Sequence, residues 1–323
     1  MIEKTFRLSN GFWHKFFPNS NKLFSPQNIP LEIWDIDKRA KESKWNPGVY
    51  GLENVVFSNN GDKFVIHGGW ITSKAPKKSE FKIYETDTMN LIDEFFVADE
   101  KCTNPVFTND DKHLIFGTWQ GNIYNYCIDD KALTNQYSLP NHSFNLIHHG
   151  KHSEQLYIIG TRKATDSNKN PQDYIFEYNV ATKNGNQIDV PVVGISGQPY
   201  TNIRGLTLHD DKLAIMTTYY GGKENERVVH EAKVYIYDTN SKEIKLVKEN
   251  FKVRDVFKYC DCITWSNGGN KLAFIGLNEV YIIDIESNYE QAIPFERPSS
   301  VAFSNCDTGI AVGGNKAKLF KMP

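Results

Sequence analysis

Phe57-Ser58-Asn59-Asn60-Gly61-Asp62-Lys63-Phe64 decides how this chain folds. It reads as the end of one β-strand, a polar turn and the start of a second apolar strand, since Asn, Gly and Asp accommodate the backbone conformations of tight turns. The phrase occurs in seven copies, the others being Phe17 to Leu23, Phe107 to Leu114, Ile147 to Leu156, Leu208 to Leu213, Trp265 to Leu272 and Phe303 to Ile310. Repetition at this spacing constrains architecture before any single residue is weighed.

Each hairpin is followed by a third strand alternating aliphatic and aromatic residues, such as Phe81-Lys82-Ile83-Tyr84-Glu85 or Val234-Tyr235-Ile236-Tyr237-Asp238. Turn residues come next, then a fourth strand, as in Leu91 to Phe96 or Ile244 to Val247. Four short antiparallel strands per unit predict an all-β fold, a seven-bladed β-propeller. A single domain over 1–323 is expected, with blades at about 10–47, 48–98, 99–140, 141–190, 198–250, 251–293 and 294–323. The last unit stops after its third strand, while Lys4 to Leu8 form a strand belonging to no hairpin. An open ring would expose sheet edges, so the N-terminal strand, residues 4–9, is predicted to complete the last blade.

Units of this size, with Trp34-Asp35 closing a third strand, resemble the WD-repeat family and its degenerate seven-bladed relatives. Asp recurs at the strand-end position in Asp238 and Asp284, and the Gly-His dipeptide typical of such repeats is absent. The resemblance implies a non-catalytic scaffold that docks proteins or peptides on the face holding the channel mouth.

With 20 Phe, 16 Tyr and 6 Trp, the composition favours sheets. A net charge of −2 gives no general attraction to nucleic acid or anionic membrane. No apolar stretch approaches the roughly 20 residues that cross a bilayer, and Met1 to Leu8 lack the apolar segment of a secretory signal. Five scattered cysteines read as reduced thiols, so a cytoplasmic location is expected, without membrane insertion.

Long connections between second and third strands, at Gly69 to Glu80, Thr161 to Asp173 and Tyr219 to Ala232, are predicted to lie on one face. The rim of that face is expected to carry Trp70, Trp119, Arg162, Tyr219 and Tyr220. Trp, Tyr and Arg dominate binding hot spots because they bury much area at little entropic cost. The starts of the first strands are expected to form the channel mouth, bringing Trp13, His14, Glu53, Asn54, Asn104, Arg204 and Asp261 together.

Catalytic signatures are missing. Gly194-Ile195-Ser196-Gly197-Gln198 lacks the final glycine of a nucleophile elbow, and His230-Glu231 has Val234 where a zinc protease needs histidine. Gly221-Gly222-Lys223 reads as a flexible turn, and His148-His149-Gly150-Lys151-His152 as the polar hairpin turn of the fourth blade. Cys260-Asp261-Cys262 has no second pair nearby, so neither metal nor cofactor is implied. The leading expectation is therefore a scaffold binding a protein or peptide, with Trp70, Trp119, Arg162, Arg204, Tyr219 and Tyr220 as contacts. The alternative is a lactonase-like propeller hydrolase using Glu53, Asn104, Arg204 and Asp261.

Overall fold

The structure, a computed structural model, describes residues 3–8, 13–25, 30–49, 51–69, 78–149, 154–163, 172–188, 202–224, 227–254, 261–314 and 316–322. Among them all regular structure is β. β1 is Glu3–Arg7. The first blade holds β2 Lys15–Phe16, β3 Lys22–Ser25, β4 Leu31–Asp35 and β5 Ala40–Trp45. The second has β6 Asn54–Phe57, β7 Lys63–Gly68, β8 Lys78–Glu85 and β9 Leu91–Ala98. The third has β10 Val106–Phe107, β11 His113–Gly117, β12 Asn122–Cys127 and β13 Ala132–Ser138. The fourth has β14 His142–His149, β15 Gln155–Arg162, β16 Gln172–Asn179 and β17 Asn184–Ile188. The fifth has β18 Asn202–His209, β19 Lys212–Glu224, β20 Arg227–Asp238 and β21 Ile244–Arg254. The sixth has β22 Ile263–Trp265, β23 Lys271–Ile275, β24 Glu279–Asp284 and β25 Glu290–Pro294. The seventh has β26 Pro298–Phe303, β27 Gly309–Gly314 and β28 Lys318–Lys321.

Each of the seven sheets is four-stranded, and the last runs β1-β28-β27-β26. This is the all-β, seven-bladed β-propeller class, with the N-terminal strand completing the last blade. Second strands are buried on both faces, as in β27, where every residue is buried. That explains their near-continuous apolar runs. Fourth strands are the reverse. Ala40-Lys41-Glu42-Ser43-Lys44 of β5 are all exposed, and their charges discourage edge-to-edge pairing.

The chain divides into two compact units, residues 1–46 with 192–323, and residues 47–191. In the first unit, β1 pairs antiparallel with β28, Glu3 opposite Lys321 and Arg7 opposite Lys318, with an irregularity between Lys4 and Phe6. Leu8 N continues the ladder to Ala317 O at 2.9 Å. Leu8 is buried in a cluster with Leu23, Ala311, Ala317 and Leu319, which ties the segment to first-blade and seventh-blade residues alike.

The fifth blade differs from expectation. The stretch Tyr219 to Ala232 is not a loop: β19 and β20 stay paired from Lys212↔Asp238 out to Glu224↔Arg227, with one irregularity between Tyr220 and Gly222. Gly222 and Lys223 are therefore strand residues, opposite Val229 and Val228, rather than a flexible turn. β21 follows alongside, Phe251 opposite Ala232 and Val253 opposite His230. The extension forms because one face finds apolar cover. Phe251 packs on Phe274 at 5.2 Å and on Tyr281 at 5.4 Å, both of the sixth blade.

The second unit is held by ring stacks between sheets. Phe81 of β8 lies 4.8 Å from Phe95 and 4.6 Å from Phe116 of the next blade. Phe95 in turn stacks on Tyr126 at 3.8 Å. In the fourth blade His148 and His149 belong to β14, opposite Tyr157 and Leu156, rather than to the hairpin turn.

Directional contacts tie neighbouring turns together. Asp111, in the β10–β11 turn, accepts from the backbone N of Asn59 at 2.7 Å and of Asn60 at 2.9 Å, both in the β6–β7 turn. Asp307 does the same for Asn267 N and Gly268 N, each at 2.8 Å, joining the sixth and seventh blades. A second set of aspartates closes turns within blades. Asp35 accepts from Lys38 N at 2.9 Å, Asp238 from Ser241 N at 2.8 Å and Asp284 from Ser287 N at 2.9 Å. All three carboxyls lie below the usual carboxylate range, Asp35 chiefly through the Lys38 ammonium 2.8 Å away, Asp238 and Asp284 chiefly through these backbone bonds.

Leu8 tests the attachment of the N-terminal strand. Leu8→Ala is expected to lower unfolding stability by about 2–5 kcal/mol, the cost of emptying a buried leucine site. Denaturant titration of the two proteins measures it.

Candidate functional site

In the second unit, the β11–β12 turn is rigid for identifiable reasons. Thr118 N donates to Asn122 O at 2.9 Å, and Gly121 N to Thr118 O at 3.1 Å. Thr118 Oγ1 accepts from Gln120 N and Asn122 N, each at 3.2 Å. Gly121 sits at φ +88°, and a Cβ there would stand 2.3 Å from Leu139 O, so only glycine fits. The turn presents Trp119, whose N donates to Lys101 O at 2.9 Å and which remains 45% exposed.

The Lys101 ammonium lies 4.3 Å from the centre of the indole ring. It also stands 3.6 Å from Glu53 Oε1. The other Glu53 oxygen is 3.9 Å from His67 Nδ1, and that nitrogen is 3.5 Å from Asn104 Oδ1. The structure thus brings three of the expected residues, Glu53, Asn104 and Trp119, into one chain of contacts and adds Lys101 and His67. Asn54 lies opposite His67 in the β6–β7 ladder, but its side chain turns back to accept from Val55 N at 2.8 Å.

His67 is buried, its ring stacked on Phe81 at 4.7 Å. Burial pushes its pKa below the ordinary histidine value; Glu53 and the hydrogen bond to Asn104 oppose that, and Lys101 adds to it. The imidazole is therefore neutral at pH 7. A titratable residue ending the apolar run Phe64-Val65-Ile66-His67 was the available sequence signal for it.

In the first unit, Arg204 occupies an irregularity of β18, passed over by the pairing between Ile203 and Gly205. A bulge of this kind re-aims the side chain of its extra residue. Arg204 is buried, its Nε donating to Thr218 Oγ1 at 3.0 Å and its Nη2 lying 3.2 Å from His230 Nε2. Asn145 holds the corresponding irregularity in β14 of the second unit and donates to Thr161 Oγ1 at 2.8 Å.

Tyr219 lies within β19 rather than on a loop, and donates to Glu231 Oε2 at 3.0 Å. Burial first, and then Glu231, raise its phenol pKa. His14 and Trp13 are buried, with His14 Nε2 3.2 Å from Ser25 Oγ. Asp261 pairs with Lys15 at 3.0 Å. Arg162 is exposed at the end of β15. Trp70 lies outside the described residues, as do Cys260 and the side chain of Tyr220.

Both carboxylates expected at the channel mouth, Glu53 and Asp261, therefore stand beside a lysine ammonium. Among the described residues no group of three or more His, Cys, Asp or Glu could hold a metal ion, and no helix is long and apolar enough to cross a membrane. No protein-family model matches the chain, and no curated protein matches it significantly.

The environment of His67 gives a pH test. A histidine whose folded pKa lies below its unfolded value binds fewer protons folded than unfolded across that interval. Its stabilising contribution is complete above about pH 6.5 and is lost as pH falls through the folded pKa. Unfolding midpoints of wild type and His67→Phe, measured from pH 7.5 to 5, should converge on acidification, with the wild type falling more steeply.

Proposed function

We propose that the chain is a non-catalytic scaffold that binds a protein or peptide, with Trp119 as an anchor of the binding surface. The observation that carries this reading is the exposed indole itself, held on a turn closed by Thr118 and Gly121 and covered on one face by the Lys101 ammonium. A large ring fixed in place before binding loses little conformational freedom when a partner covers it. Lys101, Glu53 and Asn104 would supply polar contacts around it, and Lys101 lends the charge that fixes orientation.

Arg162, Arg204, Tyr219, Tyr220 and Trp70 are proposed as further contacts, on the strength of their residue types. The resemblance of Trp34-Asp35 to WD repeats supports the same role. In this chain Asp35 spends its carboxylate on capping the turn at Lys38, a structural duty that leaves binding to other residues. The cysteines Cys102, Cys127, Cys262 and Cys306 are free thiols, which suits the cytoplasm as the proposed compartment.

The test uses Trp119→Ala. Immobilised wild-type protein and the variant are exposed to the same lysate, and the retained proteins are compared. The variant should lose the proteins retained specifically by wild type, while its unfolding stability stays within about 1 kcal/mol, as for other surface substitutions. Retention of the same proteins at undiminished yield would remove Trp119 from the binding surface.

A further inference from the structure

Within the first unit, a cavity of about 240 Å³ lies between the first and seventh sheets. Its apolar side chains are Phe16, Ile36 and Leu319, which pack in one cluster. Two cations, Arg39 and Lys321, line it from opposite sheets, and both are exposed. The one acid in the lining, Asp37, has both oxygens within reach of Asn21 Nδ2, at 3.1 and 3.0 Å. The cavity therefore joins an apolar floor to an excess of positive charge. It is smaller than the roughly 300–1,000 Å³ typical of pockets for drug-sized molecules.

We propose that this cavity binds a small organic anion, a single carboxylate or phosphate carried on a compact apolar stem. The stem lies against Phe16, Ile36 and Leu319, and the charge is held between Arg39 and Lys321. Apolar burial supplies the non-directional part of the affinity. Two cations from different sheets supply charge-assisted hydrogen bonds, which are the stronger kind. The ligand then bridges β28 and the β4–β5 turn, so it stabilises the fold in proportion to its occupancy. The proposal is independent of the role assigned to Trp119.

Cys306 provides a reporter. It is exposed on the lining, and its thiol pKa is lowered, chiefly by the Thr308 hydroxyl 2.8 Å from Sγ, which favours the thiolate form that alkylating reagents modify. Cys127, in the other unit, serves as reference.

The experiment measures the thermal midpoint and the rate of alkylation by iodoacetamide at both thiols. The probes are phenylacetate, phenyl phosphate, inorganic phosphate and benzyl alcohol. Phenylacetate or phenyl phosphate should raise the midpoint with concentration and slow alkylation at Cys306 but not at Cys127; the stronger of the two identifies the anion. Benzyl alcohol, which lacks the charge, and inorganic phosphate, which lacks the apolar stem, should each bind at least about tenfold more weakly. The Arg39→Gln/Lys321→Gln double variant changes only exposed positions and should weaken the preferred anion by the same factor or more. The proposal is overturned if neither organic anion protects Cys306, if Cys127 is protected equally, if benzyl alcohol binds as well as the anions, or if the double variant keeps wild-type affinity.

Discussion

Sheets packed face to face share no backbone ladder, and apolar burial has no direction of its own. Something directional must fix how one sheet is set against the next, and at two junctions it is an aspartate carboxylate clasping the neighbouring turn. Asp111 and Asp307 each accept two backbone N–H bonds from the preceding blade, and both stand at positive φ, 55° and 56°, to reach them. Asn side chains add further ties. Asn59 Nδ2 donates to Thr108 O at 2.8 Å, Asn267 donates to Asn305 O, and Asn305 reaches Phe17 O and Pro18 O. The aspartate bonds, being charge-assisted, are roughly twice as strong as these neutral ones. The turns that announce the repeat in the sequence are thus also the parts that lock it.

The same joint that Asp111 secures at one end carries the Trp119 arrangement at the other. Glu53 and His67 come from the second blade, Lys101, Asn104 and Trp119 from the third. Contacts between side chains of different sheets need angstrom-level registry, and the clasp together with the stack of Phe81 on Phe116 supplies it. Lys101 has two attachments, a carboxylate and a ring face, and neither holds it by burial. An ammonium on an exposed indole is worth about 0.5–1 kcal/mol, weak enough for a partner's own group to displace.

Much of the fold was legible because its signals are local. Phe57 to Phe64 contains turn chemistry and strand termini within eight residues, and the strand at Lys4 to Leu8 was identifiable because it had no hairpin partner. The fifth blade departs from its sequence pattern for the opposite reason. Tyr219-Tyr220-Gly221-Gly222-Lys223 has the composition of a turn, while what keeps it in a ladder is remote, namely the cover that Phe251 finds on Phe274 and Tyr281. Strands of 13 and 12 residues also exceed the usual five or six. For the site, residue types were readable and partnerships were not. Trp119 could be placed on its turn, but Lys101 and His67 become relevant only when two blades align. The sequence sets Arg204 near its strand's start, whereas the bulge that turns it towards Thr218 and His230 leaves no mark in composition.

The pairing of Glu3 with Lys321 has a temporal side. β28 is synthesised after β1, with the strands of six complete blades made between them. Until β28 is present, β1 lacks its ladder partner and the seventh sheet cannot close. Contacts so distant in sequence slow folding, because loop closure must be met before they form. Closure of blade seven therefore joins residues of great sequence separation, the kind of contact that chain topology delays.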